Sequence, residues 1–167
     1  VFTLPTKYNT AGYKWLFTVK YKVDGSVERL KTRLVARGFT QAYGIDYEET
    51  FASVAKLKTV RVLLSLVVNQ DWSLHQLDMK NAFLNGELGE EVYMSFPLGI
   101  QKPKNGLVCK LRKALYGLKQ SPRALFERFA NFVRSGGYQQ CQTDHTLFVK
   151  HSSSGNMSIL IVYVDDI

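Results

Sequence analysis

The sequence is poor in cysteine and has no long apolar run. Its two cysteines, Cys109 and Cys141, match no zinc-binding spacing, and a single pair is a poor disulfide framework. Both are therefore expected to be free, buried thiols in a reducing compartment. No stretch approaches the roughly 18 apolar residues that a transmembrane helix needs, so no membrane-spanning helix is predicted.

The N-terminus also lacks a basic-then-apolar leader, and the first residue is Val1 rather than methionine. We therefore expect the chain to be an interior segment of a longer open reading frame. Internal repeats and low-complexity tracts are absent as well. With 167 residues, 46% of them hydrophobic and 13% aromatic, the chain can form one domain, or two small subdomains that share a core.

The net charge of +8 is concentrated in one segment. Residues 101–134, called the basic segment below, hold nine Lys or Arg and one Glu, an excess equal to that of the whole chain. Such a segment suits a polyphosphate partner, because lysine and arginine neutralise phosphates. The alternative is an ordinary solvated face.

Residues 14–37 are predicted to form a β-hairpin. Apolar side chains alternate with polar ones in the period of a half-buried strand, at Trp15, Phe17, Val19 and Tyr21. Asp24-Gly25 supplies the turn. The return strand has an apolar face and a cationic face, the latter formed by Arg29, Lys31 and Arg33. The cationic face is a candidate for binding a triphosphate or a template backbone; the alternative is a soluble surface strand.

Apolar periodicity predicts two helices. The first spans residues 56–70, and the second begins with Ser121 as N-cap and Pro122 at the first position and ends at Gly136-Gly137. Short strands are predicted at Leu74–Met79, Val92–Phe96, Thr146–Lys150 and Met157–Val164, with a helix-like turn before Asn85-Gly86 and a loop at residues 97–106. The last strand is expected to be central and covered on both sides. This order predicts an α+β fold with a helix-backed antiparallel sheet.

Carboxylates follow two of these apolar strands. Asp165-Asp166 ends the strand that contains Tyr163, and Asp78 ends the strand that begins at Leu74. Adjacent carboxylates at the end of a buried strand repel each other and are costly to desolvate, and bound Mg²⁺ removes both problems. If the strands are neighbours, they form a two-metal site that activates a 3′-hydroxyl and stabilises a leaving pyrophosphate. The alternative is a solvated Asp-Asp turn.

An ordered set of motifs at characteristic spacing runs through the chain. It comprises Tyr13-Lys14-Trp15, Arg33-Leu34-Val35-Ala36-Arg37-Gly38-Phe39, Gln76-Leu77-Asp78-Met79-Lys80-Asn81-Ala82-Phe83-Leu84-Asn85-Gly86, Ala114-Leu115-Tyr116-Gly117-Leu118-Lys119-Gln120-Ser121-Pro122-Arg123, Asp144-His145 and Tyr163-Val164-Asp165-Asp166. With these motifs, nearly the whole chain resembles the reverse transcriptase of copia-type long-terminal-repeat retrotransposons, a part of their Pol polyprotein. Departures at Ala52-Ser53 and Leu125 do not touch the carboxylates.

The resemblance implies the fingers and the palm of a polymerase, with a ferredoxin-like palm truncated before the thumb. Fingers are expected at residues 1–53 and 89–120, and palm at residues 54–88 and 121–167. The chain ends one residue after Asp166, so the strand that follows, the thumb and any RNase H domain are expected to lie outside it. The isolated segment is accordingly expected to be poorly active or inactive.

The resemblance also implies roles for single residues. Asp78, Asp165 and Asp166 correspond to the catalytic carboxylates, which with the Met79 carbonyl bind two Mg²⁺ ions, or Mn²⁺ in their place. The resemblance also assigns nucleotide binding to five residues. Lys31 and Arg33 would clamp the triphosphate, and Phe83 would be a steric gate that excludes the ribose 2′-hydroxyl. The loop Tyr116-Gly117 would lie along the nucleotide. Contacts to nucleic acid fall on Lys119, Arg123 and Tyr163. For Phe83 a plain core role is the alternative; His75 and His145 are interpreted as structural.

The implied activity is RNA-directed DNA polymerisation on an RNA or DNA template with a primer and deoxynucleoside triphosphates. The implied setting is a cytoplasmic virus-like particle, with RNase H, integrase and protease domains in the same polyprotein and no membrane. A non-catalytic nucleic-acid-binding relic and a metal-dependent phosphodiesterase are the two rival hypotheses. A polymerase needs a triphosphate clamp and an aromatic gate, whereas a nuclease needs neither.

Overall fold

The computed structural model of the protein describes residues 1–100 and 106–163. In these residues the chain has a mixed α+β fold, as predicted. The strands are β1 (Phe2–Thr3), β2 (Thr10–Ala11), β3 (Tyr13–Tyr21), β4 (Val27–Ala36), β5 (Glu87–Met94), β6 (Leu107–Lys113), β7 (Gln139–Gln140), β8 (Leu147–His151) and β9 (Met157–Ile161). The helices are α1 (Leu57–Asn69) and α2 (Ser121–Ser135), and short 3₁₀ helices span Gly38–Thr40 and Ala82–Asn85.

Strands β3 and β4 form the predicted hairpin. They pair antiparallel, with Trp15 opposite Leu34 and Thr18 opposite Lys31, so the cationic and apolar residues of β4 lie on opposite faces. The turn contains Gly25 at a φ of +84°. The expectation of a half-buried apolar face holds only at the base of the hairpin, where Trp15 is partly buried and Ala36 is buried. The outer part of this two-stranded sheet is uncovered in the described chain, and Phe17 there is 76% exposed.

A four-stranded sheet has the order β1-β6-β5-β2, in which β2 runs parallel to β5 and the other pairs are antiparallel. The predicted strand Val92–Phe96 corresponds to the second half of β5. Strands β1, β2 and β6 were not predicted. The first two are too short to show a period, and basic residues interrupt the apolar pattern of β6.

The third sheet has the order β7-β8-β9, is antiparallel throughout, and packs against α2. The core between them consists of Phe83, Leu125, Phe126, Ala130, Val133 and Phe148. This arrangement confirms the predicted helix-backed antiparallel sheet. Helix α2 begins one residue earlier than predicted: Gln120 is its N-cap, and the Ser121 hydroxyl donates to the Leu115 carbonyl at 2.7 Å.

Helix α1 confirms the predicted helix at residues 56–70, although none of its side chains is buried. The segment that follows it departs further from the prediction. Residues 72–79 are irregular and exposed, so the predicted strand Leu74–Met79 is wrong. The apolar composition of a short run does not by itself make a strand, because a strand also needs a partner for its backbone groups.

The prediction for the last strand is also wrong in part. Strand β9 ends at Ile161 and pairs only with β8, so in the described chain it lies at the edge of its sheet rather than at its centre. Val164, Asp165 and Asp166 lie outside the described residues. Among the helices that the structure describes, none combines the length and the apolar character that crossing a bilayer requires.

Candidate nucleotide-binding site

The side chains of Arg33, Tyr116 and Phe83 come together although they belong to three separate segments. The Arg33 guanidinium, on β4, lies 5.8 Å from the centroid of the Tyr116 ring. The Phe83 ring, on the 3₁₀ helix Ala82–Asn85, meets Tyr116 edge to face at a centroid distance of 4.6 Å. Tyr116 therefore links the predicted clamp residue to the predicted gate residue.

Lys31 lies two residues before Arg33, on the same face of β4. The positive charge of Arg33 lowers the pKa of Lys31, loss of hydration and the charges of Arg29 and Lys20 lower it further, and the negative charge of Asp78 acts in the opposite direction. The cations of this strand therefore repel one another, and the charge of Asp78 offsets a small part of that repulsion at Lys31. A bound polyanion would relieve the repulsion.

Of the predicted metal-binding residues, the structure describes Asp78 and Met79. Asp78 is exposed in the irregular segment, and Met79 Sδ accepts a hydrogen bond from Asn85 Nδ2 at 3.6 Å. Asp165 and Asp166 lie outside the described residues, so their distance to Asp78 is not part of this structure. In residues 1–100 and 106–163, no group of three or more His, Cys, Asp or Glu side chains forms a metal-binding cluster.

The loop Tyr116-Gly117 is docked on the end of β4. The Ala36 amide donates to the Tyr116 carbonyl at 2.7 Å. Gly117 has a φ of +86°, and a Cβ atom there would lie 2.2 Å from the Ala36 carbonyl oxygen. A Cβ atom on Gly38 would lie 2.1 Å from the Gly117 carbonyl oxygen. Only glycine permits such a close approach of the two backbones.

Two glutamines that the sequence analysis did not single out lie beneath this contact. Gln41 and Gln120 are buried, and Gln41 Nε2 donates to Gln120 Oε1 at 3.0 Å. Isolated polar residues in irregular segments carry no periodic signal, so the sequence offers no means of finding them.

The predicted nucleic-acid contacts Lys119 and Arg123 are engaged within the protein. Lys119 Nζ lies 3.1 Å from the Tyr47 hydroxyl and 3.4 Å from the Gln41 carbonyl oxygen. Arg123 forms ion pairs of 2.7 Å with both Glu49 and Glu127. Their roles toward phosphates remain predictions, and binding would have to exchange these partners.

Other cations of the basic segment are paired in the same way. Lys110 forms an ion pair with Glu91, and Arg128 forms one of 2.5 Å with Glu87. Both carboxylates come from β5, next to the strand and helix that carry the cations. The formal charge of the basic segment therefore overstates the positive charge that its described part presents to a partner.

Tyr163, the third predicted nucleic-acid contact, is 67% exposed. It follows Val162, whose amide donates to the Thr146 carbonyl at 3.0 Å and extends the pairing of β8 with β9. The structure therefore fixes the position of the residue before Tyr163 and leaves the Tyr163 side chain accessible.

Asp144 is a buried carboxylate that joins this sheet to α1. It accepts hydrogen bonds from the Thr146 amide and hydroxyl, at 3.1 and 2.6 Å, and from the Lys56 amide at the start of α1, at 3.3 Å. Burial raises the pKa of Asp144, but hydrogen bonds from Thr146, Thr59 and Lys56 outweigh it and lower the pKa to about 2. The motif Asp144-His145 thus contains a structural carboxylate.

Asp144 makes the stability of the protein pH-dependent. Its pKa in the folded protein is below the ordinary value of 3.8, so its contribution is present above pH 4 and is lost as the pH falls toward 2. We expect a loss of about 2 kcal/mol in the free energy of unfolding over this range. Urea unfolding of the Asp144→Asn variant between pH 7 and pH 2.5 should not show this loss of stability.

The matched control is Asp24→Asn, which removes an exposed carboxylate from the hairpin turn. The hydroxyl and amide of Ser26 lower the pKa of Asp24, but solvent screens its contribution. The control should therefore keep the acid dependence of the parent protein. An Asp144→Asn variant that loses stability with acid as steeply as the parent would contradict the role given to Asp144.

Comparison with known proteins gives the family of the chain. The whole chain, residues 1–167, matches the family described as reverse transcriptase (RNA-dependent DNA polymerase), and the chain therefore belongs to the reverse transcriptase family. No solved structure shows significant similarity to it.

Three of the relatives come from plant transposons. The chain is 46% identical over 164 residues, 98% of its length, to the Retrovirus-related Pol polyprotein from transposon RE1 of Arabidopsis thaliana. It is 43% identical over 164 residues to that from transposon RE2 of the same plant, and 44% identical over 154 residues, 92% of its length, to that from transposon TNT 1-94 of Nicotiana tabacum. The chain spans 11% of the first two proteins and 12% of the third. The resemblance to retrotransposon Pol proteins is thereby confirmed.

Proposed function

We propose that the chain forms the fingers and palm of an RNA-directed DNA polymerase that extends a primer with deoxynucleoside triphosphates. The observation that carries this proposal is the cluster of Arg33, Tyr116 and Phe83, with Lys31 on the same strand face as Arg33. Cationic and aromatic groups at one place suit a nucleotide, which has a polyanionic end and an apolar face.

In this proposal, Arg33 and Lys31 bind the triphosphate. The guanidinium of Arg33 presents several donors in one plane and matches phosphate oxygens, whereas Lys31 acts as a point charge. Phe83 and Tyr116 lie against the sugar. Because Phe83 is held edge to face on Tyr116, its ring cannot turn aside for an additional hydroxyl.

The proposed metal ligands are Asp78, the Met79 carbonyl, Asp165 and Asp166. Asp78 fits this role because it is an exposed carboxylate, and Mg²⁺ prefers oxygen ligands while keeping several waters. When bound, two Mg²⁺ ions, or Mn²⁺ in their place, would lower the pKa of the primer 3′-hydroxyl and neutralise the charge on the leaving pyrophosphate.

Packing in the core supports the division into fingers and palm. Ala36 packs with Val92 and Leu118, which joins residues 1–53 to residues 89–120. Phe83 packs with Leu125, Phe126 and Phe148, which joins residues 54–88 to residues 121–167. Each proposed subdomain thus has a core built from two segments of the chain that are distant in sequence.

Primer extension on an RNA template, by the full-length protein that contains this chain, tests the proposal. Template-directed incorporation of deoxynucleotides is the expected result. Binding of the template–primer without incorporation would identify a nucleic-acid-binding relic, and cleavage of the strand without incorporation would identify a phosphodiesterase. Either of these results would overturn the proposal.

Phe83→Val should weaken the discrimination against ribonucleotides. The shorter side chain keeps the site apolar but removes the ring that faces the sugar, so incorporation of a ribonucleotide should rise at least about tenfold relative to the deoxynucleotide. The variant also removes volume from the core around Phe83, at a cost of about 2–4 kcal/mol in stability. Steady-state incorporation of both nucleotide types, with unfolding curves, measures the two effects.

Phe126→Val is the matched control, since Phe126 belongs to the same core cluster as Phe83. It should lower stability by a similar amount and leave sugar discrimination unchanged. Equal discrimination in the parent protein and the Phe83→Val variant would leave Phe83 with only its role in the core.

A further inference from the structure

Gln41 and Gln120 form a buried amide pair at the junction between the hairpin and the Tyr116 loop. They are 6% and 2% exposed. Besides their mutual bond of 3.0 Å, Gln41 Oε1 accepts from the Lys119 amide at 3.0 Å, and Gln120 Nε2 donates to the Asp46 carbonyl at 3.0 Å. Each amide therefore connects to the other and to a backbone group. Removal of either leaves buried polar groups unpaired, which costs more than the bond itself contributes.

The two segments that this pair connects are those that carry the candidate nucleotide-binding residues. Gln41 follows β4, which contains Arg33, after the short 3₁₀ helix Gly38–Thr40. Gln120 ends the turn that begins at Tyr116, and it is also the N-cap of α2. The amide pair thus lies a few residues beyond Arg33 in one segment and beyond Tyr116 in the other.

The pair is one of several attachments between these segments. Others are the hydrogen bond from the Ala36 amide to the Tyr116 carbonyl, the close approach of the Gly38 and Gly117 backbones, and the hydrogen bond from Lys119 Nζ to the Gln41 carbonyl. The backbone contacts hold the two segments together at the end of β4. The amide pair attaches them again a few residues further along, through buried side chains, and so restrains the orientation of the hairpin base relative to the Tyr116 loop.

We propose that Gln41 and Gln120 are positioning residues for nucleotide binding, which set the place of Arg33 relative to Tyr116 and thereby the affinity for the incoming triphosphate. This inference rests on the proposed polymerase function. The Arg33 guanidinium lies 5.8 Å from the Tyr116 ring centroid, so a rotation of the hairpin base that moves Arg33 by about 1 Å changes the clamp substantially. Neither glutamine is assigned a contact with the nucleotide or the metal.

The test compares Gln41→Leu, Gln120→Leu and the double variant with Gln139→Leu, which replaces an exposed glutamine on β7. Each is made in the full-length protein, and rates are normalised by active-site titration so that misfolded molecules do not count. Each single variant should raise the KM for deoxynucleoside triphosphate about tenfold, the equivalent of one lost hydrogen bond. The kcat and the Kd for template–primer should stay within about twofold. The double variant should raise the KM little more than the stronger of the two single variants does, because the two side chains act as a unit.

A second readout does not depend on turnover. With a primer that ends in a dideoxynucleotide, the equilibrium Kd for the next nucleotide should rise by the same factor as the KM. If the leucine variants fold too poorly to titrate, Gln41→Asn is used instead, which shortens the side chain by one methylene and keeps an amide. It should also raise the KM and the Kd for the nucleotide, by a smaller factor.

The outcomes separate the two proposals. A parent protein that does not extend the primer overturns the polymerase function. A parent protein that extends it, with Gln41 and Gln120 variants that show only a smaller active fraction at unchanged KM and Kd, overturns the positioning role and leaves the function intact.

Discussion

Replacing Asp78 with Asn should reduce primer extension on an RNA template by at least about 10³-fold. The change removes one negative charge and one metal-binding oxygen at the place where the proposed transition state gathers charge, and losses of this size are typical for such groups. Asp78 is exposed and makes no hydrogen bond or ion pair in the described chain that the substitution would remove, so the stability of the protein should not change. Single-turnover extension and urea unfolding of the full-length protein measure the two quantities. Asp165→Asn should cause a similar loss of activity.

Asp71→Asn is the matched control for Asp78. Asp71 is also exposed and stands at the start of the same irregular segment, at a φ of +50° that asparagine adopts readily. This variant should retain activity within about twofold, because no ligand is removed. Extension by Asp78→Asn at the rate of the Asp71→Asn control would remove Asp78 from the metal site and, with it, the polymerase assignment.

Gly117→Ala should destabilise the protein by about 4 kcal/mol. A non-glycine residue at a φ of +86° costs about 1–2 kcal/mol. The added Cβ atom, at 2.2 Å from the Ala36 carbonyl oxygen, also forces the two backbones apart, and overpacking of this kind costs about 1–3 kcal/mol. Because the displaced loop carries Tyr116, nucleotide affinity should fall as well. Urea unfolding and the Kd for nucleotide measure these effects.

The chain contains a close control in Gly25→Ala. Gly25 has a φ of +84°, nearly that of Gly117, but a Cβ atom there meets nothing within 4 Å. This variant should therefore show the conformational cost alone, about 1–2 kcal/mol, with unchanged nucleotide affinity. Equal destabilisation by the two variants would show that the close approach of Gly117 to the Ala36 carbonyl adds nothing to the cost of the substitution.

The elements that could be predicted from the sequence are those whose pattern repeats along the chain. The hairpin of β3 and β4 follows from alternation and an Asp-Gly turn, and α1 and α2 follow from apolar spacing and from Pro122 and Gly136-Gly137. These signals depend only on neighbouring residues. The segment at residues 72–79 is as apolar as a strand, yet it has no partner in the described chain and forms none.

Some residues of the candidate site could likewise be predicted from the sequence, and others could not. The resemblance to a family supplied Arg33, Phe83 and Tyr116, and the structure brings their side chains together. The bonds of Gln41 to Gln120 and of Asp144 to Lys56 join segments that are distant in sequence. Such contacts leave no mark on local composition, so only the folded chain identifies them.

In the proposed polymerase, the ion pairs of the basic segment affect how binding to nucleic acid responds to salt. Arg123 already lies between Glu49 and Glu127, Lys110 is paired with Glu91, and Arg128 is paired with Glu87. When one of these cations binds a phosphate, it must first leave its glutamate. The free energy gained by displacing counterions from the nucleic acid is then offset by the loss of the ion pair within the protein. The affinity for a template–primer should therefore fall less steeply with salt than the number of lysines and arginines suggests. The affinity for the template can then be changed by substituting the glutamates, without any change in the cations themselves.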